Sequence, residues 1–160
     1  AAGLEGSPRL VMLTPQGRQL TPALLEELAK EAWLSLLCGH YEGFDERIRL
    51  GMKPLEVSIG DYVLSGGEVA AMAVIDGLTR MIPGALGAAD GAQNDSFSRE
   101  GAKLEGPQYT RPRDFRGMTV PDVLLSGNHK AIDDWRENEA QKRTHERRPD
   151  LMGGQTEELA

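Results

Sequence analysis

Hydrophobic residues in the first part of the chain alternate between short runs and a helical spacing. The run Arg9–Leu13 predicts a buried strand, and Thr14–Gly17 predicts a turn. A helix should follow, because Thr21 suits the N-cap and Pro22 the first helical position. Its predicted apolar face comprises Leu24, Leu25, Leu28 and Ala32.

The next apolar runs predict two further strands. Trp33–Cys38 is a predicted buried strand that ends in the glycine loop 39–43. After an irregular stretch interrupted by Gly51 and Pro54, Val57–Leu64 is a predicted third strand with a glycine inside it.

A long apolar helix is predicted after the third strand. Ser65 and Glu68 have the spacing of a capping box, and the helix should run over residues 68–82 before Pro83. It is apolar nearly all round, which predicts a buried helix. Strands that alternate with helices indicate an α/β domain with a mainly parallel sheet.

The second half of the chain has a different composition. Residues 85–94 are mostly small residues of the kind found in flexible segments, which predicts a linker and a domain boundary. The apolar run Val120–Leu125 and a turn at 126–128 precede a predicted helix over residues 130–147, whose last turn is cationic.

Composition is that of an ordinary globular protein, with 160 residues, 39% hydrophobic and 27% charged. A single Cys38 excludes an intramolecular disulfide and a cysteine-built zinc site, and predicts a reducing, cytoplasmic setting. The three histidines have no metal-ligand spacing, and no apolar run is long enough for a membrane span.

The net charge of −7 argues against a general nucleic-acid coat protein. Positive residues nevertheless gather late in the chain, where they indicate either a phosphate contact or a solvated helix end. They are Arg111, Arg113, Arg116, Lys142, Arg143, Arg147 and Arg148.

Three glycine-bearing loops, at 14–17, 39–43 and 65–67, follow the three predicted strands. In open α/β sheets, ligands bind beyond the carboxyl ends of the strands. No phosphate-binding glycine motif is present, so the backbone of these loops suits the uncharged edge of a ligand such as adenine. The alternative is that the glycine turns only connect secondary-structure elements. Tyr41 and Glu42 lie between two glycines, where they either face a ligand or, for Tyr41, cap the edge of the core.

Two polar residues are candidates for chemistry. Arg80 lies near the end of the apolar helix, where an arginine must be paired or must address a ligand. Asp95 follows the predicted flexible loop, where it is either a catalytic residue or an ordinary cap.

Five segments together resemble the bacterial tRNA (guanine-N1)-methyltransferase family, in order and in approximate spacing. They are residues 13–18 (LTPQGR), 38–47 (CGHYEGFDER), 58–68 (SIGDYVLSGGE), 107–112 (PQYTRP) and 123–129 (VLLSGNH).

The resemblance implies a knotted (SPOUT) α/β fold. A cofactor-binding domain with a deep C-terminal trefoil knot is expected over residues 1–86, without the family's N-terminal part. A flexible linker at 87–98 and a partial, helical tRNA-binding domain at 99–160 are expected to follow. The implied cofactor is S-adenosylmethionine, with S-adenosylhomocysteine as product and magnesium as a candidate second cofactor. The cofactor positions carried over are Leu13, Thr14, Pro15, Gly39, Tyr41, Glu42, Ile59, Gly60, Asp61, Tyr62, Val63, Leu64, Gly66 and Gly67.

The implied reaction is methylation of N1 of the guanosine 3′ of the anticodon, by a homodimer whose active site combines both subunits. Asp95, from the partner subunit, is the implied base that removes the N1 proton. Arg80 is implied to stabilise negative charge at the guanine O6. The alternatives are a non-catalytic module for cofactor binding and dimerisation, and an acidic protein-interaction domain.

Overall fold

The computed structural model describes residues 6–85, 95–97 and 103–152. The chain divides into two compact units, residues 1–89 and 90–160. The predicted linker at 87–98 lies outside the described residues apart from 95–97.

Unit 1 is built on a three-stranded parallel sheet, as the sequence predicts. Strands β1 (Arg9–Gln19), β2 (Leu34–Cys38) and β3 (Leu55–Ser58) are arranged in the order β2-β1-β3. Helices α1 (Pro22–Leu28) and α3 (Glu68–Met81) pack against each other, and α3 also contacts β2. The buried core joins sheet and helices through Val11, Leu13, Leu24, Leu28, Val57, Ala70, Ala71 and Val74.

Helix α1 begins as predicted and ends early. The Thr21 hydroxyl accepts a hydrogen bond from the Leu24 N–H (3.3 Å), with Pro22 in the first turn. The helix ends at Leu28, so the prediction that Ala32 belongs to its apolar face is wrong, and Ala32 is exposed. The chain is already directed toward β2 after Ala32, because the carbonyl of Trp33 accepts a hydrogen bond from the N–H of Arg9 at the start of β1 (3.2 Å).

The predicted turn at 14–17 is instead an irregularity inside β1. Both Leu13 and Arg18 lie opposite Val57 of β3, so the four residues between them leave the ladder while the strand continues to Gln19. Gly17 makes this excursion sterically feasible. A Cβ atom there would lie 2.4 Å from the Val57 nitrogen and 2.5 Å from the Glu56 carbonyl carbon.

The third strand differs from its prediction. It covers Leu55–Ser58 rather than 57–64, because the backbone bends at Gly60, whose φ is +152°. The Ser58 hydroxyl holds this bend by donating to the Gly60 carbonyl (3.1 Å) and accepting from the Gly60 N–H (3.2 Å).

Helix α2 (Glu46–Met52) was not predicted. Asp45 caps it by accepting from the Arg47 N–H (2.8 Å), and Lys53 ends it in the left-handed conformation. The helix buries none of its residues, and its apolar side chains Ile48, Leu50 and Met52 are exposed.

Helix α3 begins where predicted and ends one residue earlier, but it is less buried than predicted. Gly67 is its N-cap and makes no side-chain cap bond, so the predicted capping box is wrong; the Glu68 carboxylate bonds His40 instead. One face is buried at Ala70, Ala71 and Val74. The other exposes Val69 (60%), Met72 (68%) and Ile75 (54%), so the helix is not buried all round.

Unit 2 is organised around helix α4 (His129–Arg147), one residue longer at its start than predicted and cationic at its end. The Asn128 side chain caps it by accepting from the Ala131 N–H (3.3 Å). A short hairpin, β4 (Asp114–Phe115) and β5 (Met118–Thr119), and a 3-10 turn at Asp122–Leu125 precede it, and a second 3-10 turn at Pro149–Met152 follows.

The segment at 103–107 is tied to α4 by polar contacts. The Leu104 N–H donates to the Thr144 hydroxyl (2.9 Å), and the Arg143 guanidinium donates to the Glu105 carbonyl (3.2 Å). Lys103 and Glu137 form an ion pair. In the described parts of both units, no helix combines the length and apolar character needed to cross a membrane.

We expect Gly17→Ala to destabilise unit 1, because the added methyl group would meet β3 backbone that cannot move aside. The overpacking cost should be at least about 1–3 kcal/mol in the free energy of unfolding, measured by urea denaturation. Gly51→Ala is the matched control: nothing lies within 4 Å of its Cβ position, and alanine favours helix α2. Equal stability of the two variants would contradict the close approach at Gly17.

Candidate functional site

The irregular segment 14–17 of β1 and the loops that follow β2 and β3 meet in one cleft of unit 1, with a volume of about 360 Å³. It lies beyond the carboxyl ends of β2 and β3, the edge of a parallel sheet where ligands bind. Asp61 does not line it. The other thirteen predicted positions do: Leu13, Thr14, Pro15, Gly39, Tyr41, Glu42, Ile59, Gly60, Tyr62, Val63, Leu64, Gly66 and Gly67.

Close backbone contact holds two of these loops together. The Gly67 N–H donates to the Gly39 carbonyl (2.9 Å), and His40 and Gly66 form an isolated antiparallel bridge. A Cβ atom on Gly67 would lie 2.7 Å from the Cα of Cys38. Only glycine therefore allows the start of α3 to lie against the end of β2.

A side-chain hydrogen bond between His40 and Glu68 lies at the same contact between the two loops. The His40 Nε2 lies 2.5 Å from a Glu68 carboxylate oxygen. The pKa of the Glu68 carboxyl is below its usual value, first because the backbone N–H of Glu68 bonds the carboxylate and then because of His40. Burial, and the negative charge of Glu68, raise the pKa of the nearby Cys38 thiol.

Tyr41 and Glu42 project from the loop after β2. Tyr41 is 99% exposed and has a φ of +53°, so its alternative role as a cap on the core edge is wrong. Glu42 is also exposed, and it is the one carboxylate among the described residues that line the cleft.

The wall after β3 is apolar and aromatic. Ile59, Tyr62 and Leu64 line it, and the Tyr62 hydroxyl approaches the Ile59 carbonyl at 3.4 Å. A Cβ atom on Gly60 would lie 2.4 Å from the Tyr62 ring, so the ring covers that glycine. This arrangement places apolar and aromatic side chains along one wall of the cleft, which suits a heteroaromatic ligand.

Sequence reasoning missed several lining residues, of which Arg49 is the most informative. It is the one lysine or arginine among the described residues of the lining. Helix α2 positions it, and its guanidinium pairs with Glu56 (3.3 Å) and Glu46 (3.5 Å). Asp45 at the N-cap and Glu46 in the first turn are sequence signals from which this helix could have been predicted.

The two predicted catalytic residues do not line the cleft. Arg80 lies in the last turn of α3 and is exposed. Asp95 belongs to unit 2, where it is half-buried at the start of a turn, and the neighbouring Ser96 hydroxyl accepts from the Glu105 N–H (2.9 Å). Within the described residues, no group of three or more His, Cys, Asp or Glu side chains could hold a metal ion.

A family model and several curated proteins that resemble this chain carry the same family name. The family model described as tRNA (Guanine-1)-methyltransferase TrmD matches residues 2–154. The tRNA (guanine-N(1)-)-methyltransferase of Moorella thermoacetica is 55% identical over 150 residues, which are 94% of this chain and 59% of that protein. The proteins of the same name from Listeria monocytogenes (55% over 148 residues) and Geobacillus kaustophilus (56% over 149 residues) each share 92% of this chain and 60% of their own length.

The chain thus spans about 60% of the length of these curated relatives. The family match covers nearly all of its residues, including every loop that forms the cleft. The chain belongs to the tRNA (guanine-N1)-methyltransferase family.

Proposed function

We propose that the protein transfers a methyl group from S-adenosylmethionine to N1 of the guanosine 3′ of the anticodon in tRNA, and that the cleft of unit 1 holds the cofactor. The observation that carries this proposal is the convergence of three loops, separated along the chain, in one cleft. Family membership, and the printed names of the relatives, support the substrate.

The residues of the cleft fit the proposed cofactor. Ile59, Tyr62 and Leu64 offer an apolar surface for the adenine ring, and the glycine loops offer backbone donors and acceptors to its edge. Glu42 suits the ligand's positive charges, and Arg49 suits its carboxylate. When bound, S-adenosylmethionine supplies a methyl group on a positively charged sulfur.

The trefoil knot is part of this proposal. The irregularity at 14–17 moves that segment of β1 out of the ladder. The hydrogen bonds between the loops 39–43 and 65–67 hold the start of α3 next to the cleft. These contacts support a chain that threads between its own loops before α3 begins.

The proposed catalytic residues act on the guanine. N1 carries a proton and is a poor nucleophile, so a base must remove it, and we assign that role to Asp95 of the partner subunit. Arg80 would stabilise negative charge that develops at O6. An exposed position at the end of α3 leaves the Arg80 side chain accessible to a substrate.

We also propose that the protein is a homodimer, and that the exposed face of α3 forms its interface. Val69, Met72 and Ile75 make three apolar side chains, each more than half exposed, along one side of a helix. A second copy of the chain would bury them. A cytoplasmic location and assistance by magnesium also belong to the proposal.

The first prediction concerns the cofactor cleft. We expect S-adenosylmethionine to bind the chain in calorimetric titration, and Glu42→Gln to weaken binding up to about fivefold, because an exposed ion pair contributes at most about 1 kcal/mol. Glu26→Gln, an exposed glutamate on α1 outside the cleft, should bind like the wild type. Absence of binding by the folded wild-type chain would exclude the cleft as a cofactor site.

The second prediction concerns catalysis. Asp95→Ala and Arg80→Ala should each retain cofactor binding, and Asp95→Ala should lose about 10²- to 10⁴-fold in methyl transfer to tRNA, measured with labelled S-adenosylmethionine. Asp134→Ala, an exposed aspartate of α4, is the control for Asp95. Full activity of Asp95→Ala would refute its role as the base. Cofactor binding by the wild-type chain without any methyl transfer would favour the non-catalytic module.

The third prediction concerns the dimer. Light scattering should give the mass of two chains for the wild type and of one chain for Met72→Asp, because a buried carboxylate without a partner is costly. Ala23→Asp places the same charge at an exposed position in the first turn of α1, and should remain dimeric. A Met72→Asp dimer would place the interface elsewhere.

A further inference from the structure

A buried hydroxyl in unit 2 connects helix α4 to a segment far from it in sequence. Thr144 has no exposed surface. Its hydroxyl donates to the Ala140 carbonyl one turn earlier (2.7 Å), which is a common bond for a threonine inside a helix. It also accepts from the Leu104 N–H (2.9 Å), 40 residues earlier in the chain. The second bond ties α4 to the segment 103–105, and the helix itself does not require it.

The segment 103–105 in turn holds residues 96 and 97. The Lys103 carbonyl accepts from the Phe97 N–H (2.9 Å), and the Glu105 N–H donates to the Ser96 hydroxyl (2.9 Å). Lys103 and Glu105 are the two neighbours of Leu104. The residue that Thr144 bonds therefore lies between the two residues that hold this turn. Residues 95–97 are called the Asp95 turn below.

The end of α4 contacts the Asp95 turn a second time. The Arg148 guanidinium lies over the Phe97 ring, 5.7 Å from its centroid. Phe97 has a φ of +68°, a left-handed conformation that is uncommon for a bulky residue and persists only where the surroundings support it. The backbone bond to Lys103 and the contact with Arg148 supply that support. The Asp95 turn therefore keeps its shape through contacts that lead back to α4.

We infer that Thr144 is a positioning residue for Asp95. The inference rests on the proposed function, which assigns Asp95 as the base that removes the N1 proton. A general base must lie within hydrogen-bond reach of that proton, and a misplacement of about 1 Å costs on the order of 10²-fold in rate. Thr144 fixes Leu104, the neighbours of Leu104 fix residues 96 and 97, and Asp95 directly precedes them. Thr144 acts through these bonds and does not itself contact the guanine.

The contacts of Thr144 are separate from a cleft that unit 2 also contains. This cleft has a volume of about 690 Å³, and Thr144 does not line it. Its cations are Arg111, Arg113 and Arg136, and the described residues of its lining include no aspartate or glutamate. Under the proposed function, tRNA would contact these arginines and not the buried Thr144. A change at Thr144 should therefore alter the rate of methyl transfer and leave tRNA binding unchanged.

The test compares Thr144→Val with Thr144→Ser in single-turnover methyl transfer from labelled S-adenosylmethionine to tRNA. Valine has the shape of threonine without the hydroxyl, so the Leu104 N–H loses its acceptor. The rate constant at saturating tRNA and cofactor should fall about tenfold to a hundredfold. The half-saturating concentrations of both substrates should stay at the wild-type values. Thr144→Ser keeps the hydroxyl and should restore the wild-type rate constant.

A second variant of α4 separates positioning from a general loss of stability. Asn128→Ala removes the side chain that caps the other end of this 19-residue helix. It should lower the urea midpoint of unfolding, as Thr144→Val does, and it should keep the wild-type rate constant. An equal loss of rate in both variants, matched by equal losses of stability, would overturn the inference.

Amide hydrogen exchange, followed by nuclear magnetic resonance, reports on the Asp95 turn without any catalysis. The N–H groups of Phe97 and Glu105 donate the two bonds that hold the turn. In Thr144→Val both should exchange about tenfold faster than in the wild type, the change expected for the loss of one hydrogen bond. Asn128→Ala and Thr144→Ser should leave both exchange rates at the wild-type values.

Asp95→Ala, measured alongside, keeps the two proposals apart. Loss of methyl transfer in Asp95→Ala with a wild-type rate constant in Thr144→Val would overturn the inference and leave the proposed function intact. Full activity of Asp95→Ala would refute both the base and its positioning. In a chain that transfers no methyl group, the proposed function fails and the exchange rates decide. Faster exchange in Thr144→Val would then support the hold of Thr144 on the Asp95 turn, and unchanged exchange would overturn it.

Discussion

The architecture of unit 1 depends on backbone segments that approach each other without a side chain between them. Gly17 lies against the backbone of β3, and Gly67 lies against the end of β2. A Cβ atom at either place would overlap backbone atoms at less than 3 Å. These two contacts set the path of the chain through 14–17 and fix the start of α3. The cleft is the space that the same loops leave open.

Helix α3 connects this cleft to the rest of the proposed assembly. Its first turn contacts the loop after β2 through Gly67 and Glu68, and its buried face completes the core. Its opposite face carries the exposed apolar residues. Under the proposed function, helix α3 therefore contacts the cofactor cleft, the core and the partner subunit. A substitution at the interface is then expected to change cofactor binding in the cleft.

The sequence was most informative where a local signal determines structure. Thr21 and Pro22 predicted the start of α1, and apolar runs predicted β2 and the extent of α3. Two predictions were wrong for different reasons. The strand at 57–64 ends at Ser58 because of the local bend at Gly60. The capping box at Ser65 and Glu68 does not form because Gly67 is the N-cap of α3, and Glu68 bonds His40, which is far away in sequence. The cleft followed from the rule that loops after parallel strands converge, whereas Arg49 was missed because α2 buries nothing.

The two clefts differ in the charged residues that line them, and each set suits a different kind of ligand. The cleft of unit 1 contains one carboxylate and one guanidinium, itself paired with two glutamates, which suits a ligand that carries charges of both signs. The cleft of unit 2 contains three guanidinium groups, which suits a polyanion. With a net charge of −7, long-range attraction cannot gather RNA over the whole surface. Recognition of a polyanion must then come from cations concentrated at one place, and the described lining of the unit 2 cleft includes three arginines and no aspartate or glutamate.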